Sequence, residues 1–370
     1  MKTIKIMRTL MAMLIAVATL AAMPMTAFAA NDSKTVQFEL PLEGATGFAC
    51  SRINLRESAP NGKILKVLEP GTAFTILADG DKYLKVDCDG TIGYAYKAYV
   101  MVNLPDIIPS IVYYDSNSES AIYQSSEKDL PQITGEQLYN VKAANPRFGG
   151  EVQYVMPILL SMAYKVQMAQ NVALENGDSL MIYETFRPYD TQMSVSDSLS
   201  DLMNSDATVR NNINTAPWGK GWFIATSRSN HQRGMAMDVS LVRVEEMETR
   251  KCGSYTYQVV TEYEEYEMPT QMHELSPAAA TFTTPVSSST ITGWKKCQLS
   301  EGMLKSEGAL KLQQYCTESG LTPLASEWWH FEDQYSDKSG KGDFYLLGGK
   351  PNADGTFSEV MNVTSQVPTH

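Results

Sequence analysis

The sequence predicts an α+β fold preceded by a small all-β module, and three patterns support this prediction. Between residues 48 and 102, short runs rich in Val, Ile, Leu and Tyr alternate with turn dipeptides such as Asn61-Gly62 and Asp89-Gly90. Farther along, apolar residues recur at helical spacing over residues 150–176. Strand-like runs and long loops follow that stretch, so we expect helices and strands to be interleaved in one larger domain.

Five segments follow from these patterns. Residues 1–29 are predicted to be a secretory signal peptide, because Lys2, Lys5 and Arg8 precede an apolar run and Ala27-Phe28-Ala29 fits a cleavage site. The alternative, a retained membrane anchor, is disfavoured because the apolar run is shorter than the roughly 20 residues that a spanning helix needs. The other segments are the all-β module (46–103), a linker rich in Ser, Asp and Pro (104–135), the larger domain (136–335) and a C-terminal tail (336–370).

The larger domain contains four elements that the sequence defines. They are a helix over 150–176, strands over 179–183 and 235–242, and a second amphipathic helix over 305–319. Gly177 and Gly320 stand where the two helices are expected to end. An insertion over 251–296 carries aromatic and acidic residues, which either edge a cleft or belong to a solvated hairpin.

Charge and cysteine content restrict the possible partners. The formal net charge is −12, and loss of residues 1–29 removes three positive charges and no negative ones, which gives −15. Such an acidic chain has no basic surface for nucleic acid or anionic lipid, so we expect neither a nucleic-acid partner nor a membrane after signal cleavage.

The cysteines are spaced for disulfides rather than for a metal site. None has C-x-x-C spacing, and export from the cell permits disulfides. Cys50 and Cys88 share the all-β module, and Cys252 and Cys297 bracket the insertion, so these are the preferred pairs. Cys316 falls in the second helix and is expected to be a buried thiol.

Two short motifs hold two of the four histidines of the chain. The first runs from Ser229 to Asp238 and contains His231, and the second is Glu327-Trp328-Trp329-His330. Hydrolytic zinc sites use three nitrogen, sulfur or carboxylate ligands and leave one position for water. His231, Asp238 and His330 fit that set, with one zinc per chain. Glu327 then remains as the general base that accepts the proton of the water.

The other two histidines, His273 and His370, lie in a long loop region and at the C-terminus, where solvated side chains are expected. Any one of the motif residues alone would more often be structural. The conjunction of the two motifs is therefore what predicts the metal site.

The motifs carry a family resemblance. The pattern S-x-H-x-x-G-x-A-x-D followed by E-W-W-H resembles the zinc D-Ala-D-Ala peptidases, which include VanY-type carboxypeptidases and VanX-type dipeptidases. The resemblance extends upstream to the run of residues 183–192 and covers about residues 150–335. It implies that His231, Asp238 and His330 bind zinc and that Glu327 is the catalytic base.

The resemblance also implies roles for three further residues. Arg187 corresponds to the arginine that steadies the developing oxyanion, a task that suits a permanently charged guanidinium. A buried salt bridge is the alternative for Arg187. Ser229 and Gln192 correspond to positions near the substrate, and Trp329 is expected to pack against the site.

One position departs from the family pattern. The family has M-G-T-x-F-D between the two metal motifs, and here the run of residues 268–273 ends in His273 instead of aspartate. In the dipeptidases a carboxylate there would pair with the free amino group of a dipeptide. An imidazole pairs poorly with an ammonium group, so this departure disfavours a dipeptidase.

The all-β module resembles a bacterial SH3-like barrel, a domain attached to many cell-wall enzymes. The resemblance covers about 55 residues and includes Ile53-Asn54-Leu55-Arg56 and the run Gly90-Thr91-Ile92-Gly93-Tyr94. It implies binding to the cell wall, with a spacer barrel that has no ligand as the alternative. We therefore expect a secreted protein that is extracellular or associated with the wall.

Four functions agree with these observations. The first is a D,D-carboxypeptidase that removes the terminal D-alanine of peptidoglycan stem peptides, which export and the SH3-like module favour. The second is a D-Ala-D-Ala dipeptidase, and the third is an endopeptidase that cuts within the stem or cross-bridge. The fourth, a non-catalytic wall-binding protein, is disfavoured because the expected ligands and base are all present.

Overall fold

The computed structural model describes residues 36–334, 352–357 and 362–368. The predicted signal peptide and His370 lie outside the described residues, so the expectations for them stay predictions. Within the described ranges, no helix has the length and apolar character needed to cross a membrane.

An antiparallel sheet of eight strands forms the N-terminal part of the fold. Seven of its strands are β1 Thr46–Ala49, β2 Ile53–Arg56, β3 Ile64–Leu68, β4 Ala73–Asp79, β5 Tyr83–Cys88, β6 Thr91–Tyr96 and β7 Val100–Asn103. In β5, Leu84 and Val86 are buried while Lys85 is exposed, which is the alternation expected when one face of a sheet covers a core. The module is therefore a sheet, and its likeness to an SH3-like barrel stays a prediction.

Residues 104–135, predicted to be a linker, are instead packed into the fold. They form α1 Leu104–Ile107, β8 Val112–Tyr113, β9 Gln124–Ser125 and β10 Lys128–Asp129. Ile107 and Tyr123 belong to the main hydrophobic core. Some of the polar residues that suggested a linker form local hydrogen bonds: Oδ1 of Asp115 accepts from the backbone N–H of Ser118 at 3.0 Å. Polar composition does not distinguish a linker from a packed segment here, because polar groups can be buried when they have hydrogen-bond partners.

The helix predicted over 150–176 begins later than expected. The chain first forms β11 Lys142–Asn145, β12 Glu151–Tyr154 and β13 Pro157–Leu159, and only then α2 Leu160–Glu175. Val152 is exposed in the hairpin of β11 and β12, so its apolar side chain does not mark a helix face. Strand β13 pairs with β7 and completes the eight-stranded sheet. The end of the helix is as predicted, with Gly177 at φ +75°.

Five further α-helices lie in the described residues. They are α3 Tyr189–Ser205, α4 Ala207–Ile213, α5 Lys220–Phe223, α6 Glu301–Lys305 and α7 Glu307–Glu318. The helix predicted over 305–319 corresponds to α7, and Ser306 separates it from the short helix α6. The Oγ of Ser306 accepts from the backbone N–H of Ala309 at 3.1 Å, which caps α7.

A second sheet contains both strands predicted in the larger domain. Its strands are β14 Asp178–Glu184, β15 Ala236–Cys252, β16 Tyr255–Glu265, β17 Thr322–Pro323 and β18 His330–Glu332. The order is β17-β18-β15-β14-β8, and β16 pairs with β15. Only the pairing of β8 with β14 is parallel among these described strands. Helices α2 and α7 contact β14 and β15, which confirms the mixed α+β class.

The insertion predicted over 251–296 begins in the long hairpin of β15 and β16. Tyr255 and Tyr263 are exposed on this hairpin, so the solvated alternative describes its outer part. The chain then returns through loops and short 3₁₀ turns. This return places His273 beside the second sheet.

All five cysteines lie in the described ranges and are free thiols, so the predicted disulfides are not formed. The Sγ of Cys88 lies 3.3 Å from Nζ of Lys66, and the Sγ of Cys252 lies 3.6 Å from the carbonyl oxygen of Arg147. Sequence spacing could not show this, because a disulfide depends on Cα atoms lying within about 7 Å in space. Cys316 is buried as predicted, and burial raises the pKa of its thiol.

The described part of the C-terminal tail returns to the N-terminal sheet. The backbone N–H of Gln366 donates to the carbonyl oxygen of Gly44 at 2.7 Å. Ser365 is buried and bonds to both Thr46 and Asp106. This part of the predicted tail is therefore packed against the fold.

Candidate metal centre

Strand register brings the candidate ligands together. Asp238 of β15 lies opposite His330 of β18 on one side and Glu184 of β14 on the other. Directly opposed residues of antiparallel strands point to the same face of a sheet, so these side chains converge. His231 arrives from a 3₁₀ turn, which Gly234 ends with φ +63°. A side chain at Gly234 would be strained in that conformation.

Three ligand atoms form a compact triangle. Nε2 of His231 lies 3.2 Å from Nδ1 of His330, and each nitrogen faces Oδ1 of Asp238, at 3.4 and 3.0 Å. Tetrahedral zinc with bonds of about 2.0–2.2 Å to nitrogen and oxygen separates its ligand atoms by roughly 3.3–3.5 Å. The observed separations are close to that spacing, so the chemistry and the geometry of these residues fit one zinc ion.

The remaining ring nitrogens have fixed partners. Nδ1 of His231 lies 2.7 Å from the carbonyl oxygen of Thr185, which can only accept, so this nitrogen donates and Nε2 is left with its lone pair. Nε2 of His330 lies 3.1 Å from Oε1 of Glu332. Such outer partners set the tautomer and the orientation of histidine ligands. Both rings are therefore presented with one nitrogen toward the triangle.

The charges of the site favour a cation. Burial opposes a charge on His330, yet its hydrogen bonds to Asp238 and Glu332 raise its pKa to about 10. Burial likewise disfavours ionised Glu332, but the hydrogen bond to His330 holds its pKa at about 2. The ring of His330 thus carries a proton between two carboxylates when no metal is bound. A metal ion would take the place of that positive charge.

Glu327 stands next to the triangle. Its Oε2 lies 3.8 Å from Nδ1 of His330, and its side chain is buried at the wall of a cleft of about 280 Å³. Burial raises the pKa of Glu327 to about 8, against the opposing effects of the positive His330 and Arg187. A carboxyl group whose pKa is near neutrality can both accept and return a proton, as a general base must.

Comparison with known protein families gives one match. The sequence model described as D-Ala-D-Ala dipeptidase, peptidase family M15, matches residues 152–340, about half of the chain. The chain is a member of this family of zinc-dependent metallopeptidases. The family resemblance and the zinc cofactor predicted from the motifs are thereby confirmed. No curated protein matches the chain significantly.

Arg187 of this M15 peptidase is held in a buried ion-pair network. Its Nε donates to Oε2 of Glu184 at 2.6 Å, and its Nη2 donates to Oδ2 of Asp238 at 2.8 Å. Nη1 donates to Oε1 of Gln192 at 2.8 Å. Burial opposes the charge, but the two carboxylates raise the pKa of Arg187 well above its usual value. The salt bridge proposed as the alternative is therefore present, and an oxyanion role stays a prediction.

The prediction of a solvated His273 is wrong. The side chain is only 1% exposed, and its ring stacks on Tyr123 with centroids 4.4 Å apart and planes 9° apart. Nε2 of His273 lies 3.2 Å from Oδ2 of Asp238. Trp329 forms an edge-to-face contact with this ring, with centroids 5.9 Å apart. The loop residue is buried because Tyr123, Trp329 and Asp238 all pack against its ring.

The two predicted substrate-binding residues border the cleft. Ser229 bonds through its backbone N–H and its hydroxyl to Oε1 of Gln232, at 2.6 and 3.1 Å. Gln192 accepts from Arg187 and donates to the carbonyl oxygen of Ala225 at 3.0 Å. The structure thus places both residues at the cleft wall, and contact with substrate stays a prediction.

A second group of potential ligands competes with the first. Glu184, Asp238 and His273 also bring donor atoms close together. Arg187, however, already donates to both carboxylates of this group and supplies its positive charge. The group is therefore better described as support for Asp238 than as a second metal site.

Sequence reasoning missed several residues around the metal centre. Glu332 could have been found, because it lies two residues after His330 and alternate residues of a strand lie on one face. Glu184 precedes Arg187 by three residues and could have been suspected as its partner. Tyr139 bonds to Glu184, but no local signal marked it, because the contact joins distant parts of the chain.

Proposed function

We propose that the protein is a secreted zinc D,D-carboxypeptidase that removes the terminal D-alanine from peptidoglycan stem peptides. The observation that carries the proposal is the triangle of His231, Asp238 and His330 with Glu327 beside it at a cleft. Membership of the M15 peptidases supports D-Ala-D-Ala peptides as the substrate class.

The chain supplies the groups that such a hydrolysis needs. Zinc, when bound, acidifies water and polarises the scissile carbonyl. Glu327 accepts the proton of the attacking water and passes it to the nitrogen of the departing D-alanine. Burial raises its pKa in the metal-free site, and the charge of a bound zinc would favour the ionised form that accepts the first proton.

The walls of the cleft suit a short peptide with a free carboxylate. Trp222, Ile224 and Leu324 offer apolar surface for methyl side chains. Arg228 adds a fixed positive charge at the same cleft. Arg187 also borders the cleft, but its charge is offset by two buried carboxylates. A guanidinium at the cleft wall suits a free carboxylate, so we assign recognition of the substrate carboxylate to Arg228, the role that a carboxypeptidase needs.

A dipeptidase is the second candidate, because the matching family model carries that description. His273 argues against it. The position that would hold a carboxylate for the dipeptide amino group carries an imidazole, and this imidazole faces Asp238. Among the described residues that line the cleft, none of the side chains belongs to the run of residues 268–273.

A location outside the membrane completes the proposal. The predicted signal peptide supports export, and the SH3-like resemblance supports binding to the wall. In the N-terminal sheet, Tyr83, Tyr94 and Tyr96 border an open concavity of about 720 Å³. The rings of Tyr83 and Tyr96 lie 5.3 Å apart, and such aromatic surfaces are suited to binding a polymer ligand.

A substrate panel tests the proposal. The zinc-loaded protein is incubated separately with a pentapeptide stem ending in D-Ala-D-Ala, with the same peptide as its C-terminal amide, and with free D-Ala-D-Ala. Products are identified by mass. We expect one alanine to be released from the pentapeptide acid and little from the others. Cleavage of the free dipeptide alone would establish the dipeptidase, and equal cleavage of the amide would indicate an endopeptidase.

A further inference from the structure

The family model begins at residue 152, but contacts around the metal centre begin much earlier in the chain. We propose that the segment from Asp115 to Tyr139, outside the family-matched region, contains positioning residues for the zinc ligand Asp238. The segment is the one that composition suggested to be a linker. Two separate routes of contact lead from it to the same oxygen atom of Asp238.

The first route runs through Glu184. The hydroxyl of Tyr139 and Nδ2 of Asn117 both donate to Oε1 of Glu184, at 2.6 and 2.7 Å. The other oxygen of Glu184 accepts from Nε of Arg187, and Nη2 of Arg187 donates to Oδ2 of Asp238. Tyr139 and Asn117 therefore fix the carboxylate that orients the guanidinium.

The second route runs through His273. The ring of Tyr123 stacks on the imidazole, and the backbone N–H of Gln124 donates to the carbonyl oxygen of His273 at 3.1 Å. The imidazole in turn reaches Oδ2 of Asp238. Nδ2 of Asn117 also donates to the hydroxyl of Tyr123 at 3.2 Å, so the two routes share one residue.

Both routes end on Oδ2 and so leave Oδ1 for the metal. The triangle with His231 and His330 is formed by Oδ1 alone. Tyr123, Tyr139 and Asn117 are at most 1% exposed, so the hydrogen bonds that they donate are shielded from competition with water. Removing one of them should allow Asp238 to rotate out of its ligating orientation.

A purely structural role is the competing explanation, and zinc affinity separates the two. In the full mature chain, Tyr139→Phe removes one hydroxyl and keeps the ring. Tyr154→Phe is the matched control, because the hydroxyl of Tyr154 donates to Glu119 at 2.8 Å on the exposed surface. We expect Tyr139→Phe to weaken zinc binding about tenfold, the lower end of the range for outer partners of a metal site. We expect Tyr154→Phe to leave zinc affinity unchanged.

A second pair of variants decides the matter if Tyr139→Phe fails to fold. Tyr123→Leu removes the ring that stacks on His273, whereas Tyr123→Phe keeps it. Zinc affinity should fall for Tyr123→Leu and remain close to that of the unaltered protein for Tyr123→Phe. A kinetic readout accompanies both pairs: kcat should fall while KM for the pentapeptide stays constant, because the substrate cleft is not altered.

The outcomes distinguish the positioning role from the proposed function. Only the kinetic readout of the positioning role rests on the proposed function. Zinc affinity is measured by chelator competition without substrate. If Tyr139→Phe and Tyr123→Leu bind zinc as tightly as their controls, the positioning role is refuted while the peptidase proposal stands. If the unaltered protein binds zinc but releases no alanine, the carboxypeptidase proposal fails and the positioning role is still decided by affinity.

Discussion

Nε2 of His273 lies 3.2 Å from Oδ2 of Asp238, at a position where the family pattern has an aspartate. Arg187 and His273 both contact Oδ2 of Asp238. An aspartate in place of His273 would instead bring a second buried carboxylate next to that metal ligand. The imidazole instead donates a hydrogen bond to the ligand and stacks on Tyr123. His273 therefore faces a metal ligand rather than the cleft, and support of the metal by this residue is a prediction.

Substitution of His273 should weaken zinc binding. We expect His273→Leu to lower zinc affinity by about 10- to 100-fold, the usual cost of losing an outer hydrogen bond to a metal ligand. His273→Gln keeps an N–H donor and should retain part of that affinity. Chelator competition with both variants measures the effect. Unchanged affinity in His273→Leu would show that the contact with Asp238 does not support the metal.

Removal of Arg187 should destabilise the protein as well as impair catalysis. Arg187→Met would leave the buried Glu184 and Asp238 without their shared positive charge, and breaking a buried pair in this way costs about 3–5 kcal/mol. Urea unfolding of the zinc-free variant measures this loss. An arginine that served only the oxyanion would instead lower kcat and leave the free energy of unfolding unchanged.

Arg228 should discriminate between acid and amide substrates. A charge-assisted hydrogen bond contributes about 1.5–3 kcal/mol, so Arg228→Ala should raise KM for the pentapeptide acid by roughly tenfold or more. The corresponding amide has no C-terminal carboxylate for Arg228 to bind. The unaltered protein and Arg228→Ala should therefore hydrolyse it at the same slow rate. Steady-state kinetics with the two peptides provide the comparison. An equal effect on acid and amide would exclude this role of Arg228.

Asp115 should make stability depend on pH. Burial, together with the negative charge of Glu184, raises the pKa of Asp115 well above its usual value. The hydroxyl of Tyr139 lies within hydrogen-bond distance of both Glu184 and Asp115, but it has a single proton to donate. A protonated Asp115 supplies a second proton, so that both hydrogen bonds can form. A group whose pKa is higher in the folded than in the unfolded protein stabilises the fold fully below its unfolded-state pKa of about 3.9. This stabilisation is lost as the pH rises through the folded-state pKa.

The isosteric variant Asp115→Asn cannot titrate at this position. From about pH 4 upward, the free energy of unfolding of the unaltered protein should therefore fall relative to that of Asp115→Asn, by at most about 1.4 kcal/mol per pH unit for one proton. Urea unfolding of zinc-free protein at several pH values measures this difference. Parallel stability curves for the two proteins would mean that Asp115 is already ionised in the folded state.

The core of the site could be predicted from the sequence because its residues lie in two short motifs. Asp238 and His330 are paired on adjacent strands, and Glu327 lies three residues before His330, so local spacing already limits their positions. The two strands and the C-terminal ends of the two helices were predictable for the same reason, because hydrophobic periodicity and helix-ending glycines are features of the local sequence.

The supports of the site could not be predicted in this way. His273 and Tyr139 reach the metal centre through contacts between residues far apart in the chain. The polar composition of residues 104–135 indicated a linker, but some of these groups, such as Asp115 and Ser118, form hydrogen bonds inside the fold. The predicted disulfide pairs are not formed. The distance between two thiols depends on the tertiary structure, which the spacing of cysteines in the sequence does not define.

The most direct test of the account compares the unaltered protein with Glu327→Gln after both are loaded with one equivalent of zinc. Zinc content and release of D-alanine from the pentapeptide stem are measured on the same samples. Both proteins should retain zinc, the unaltered protein should release one D-alanine per peptide, and Glu327→Gln should be slower by about 10²- to 10⁴-fold. Turnover by Glu327→Gln at the unaltered rate, or failure of the zinc-loaded unaltered protein to release D-alanine, would contradict the account.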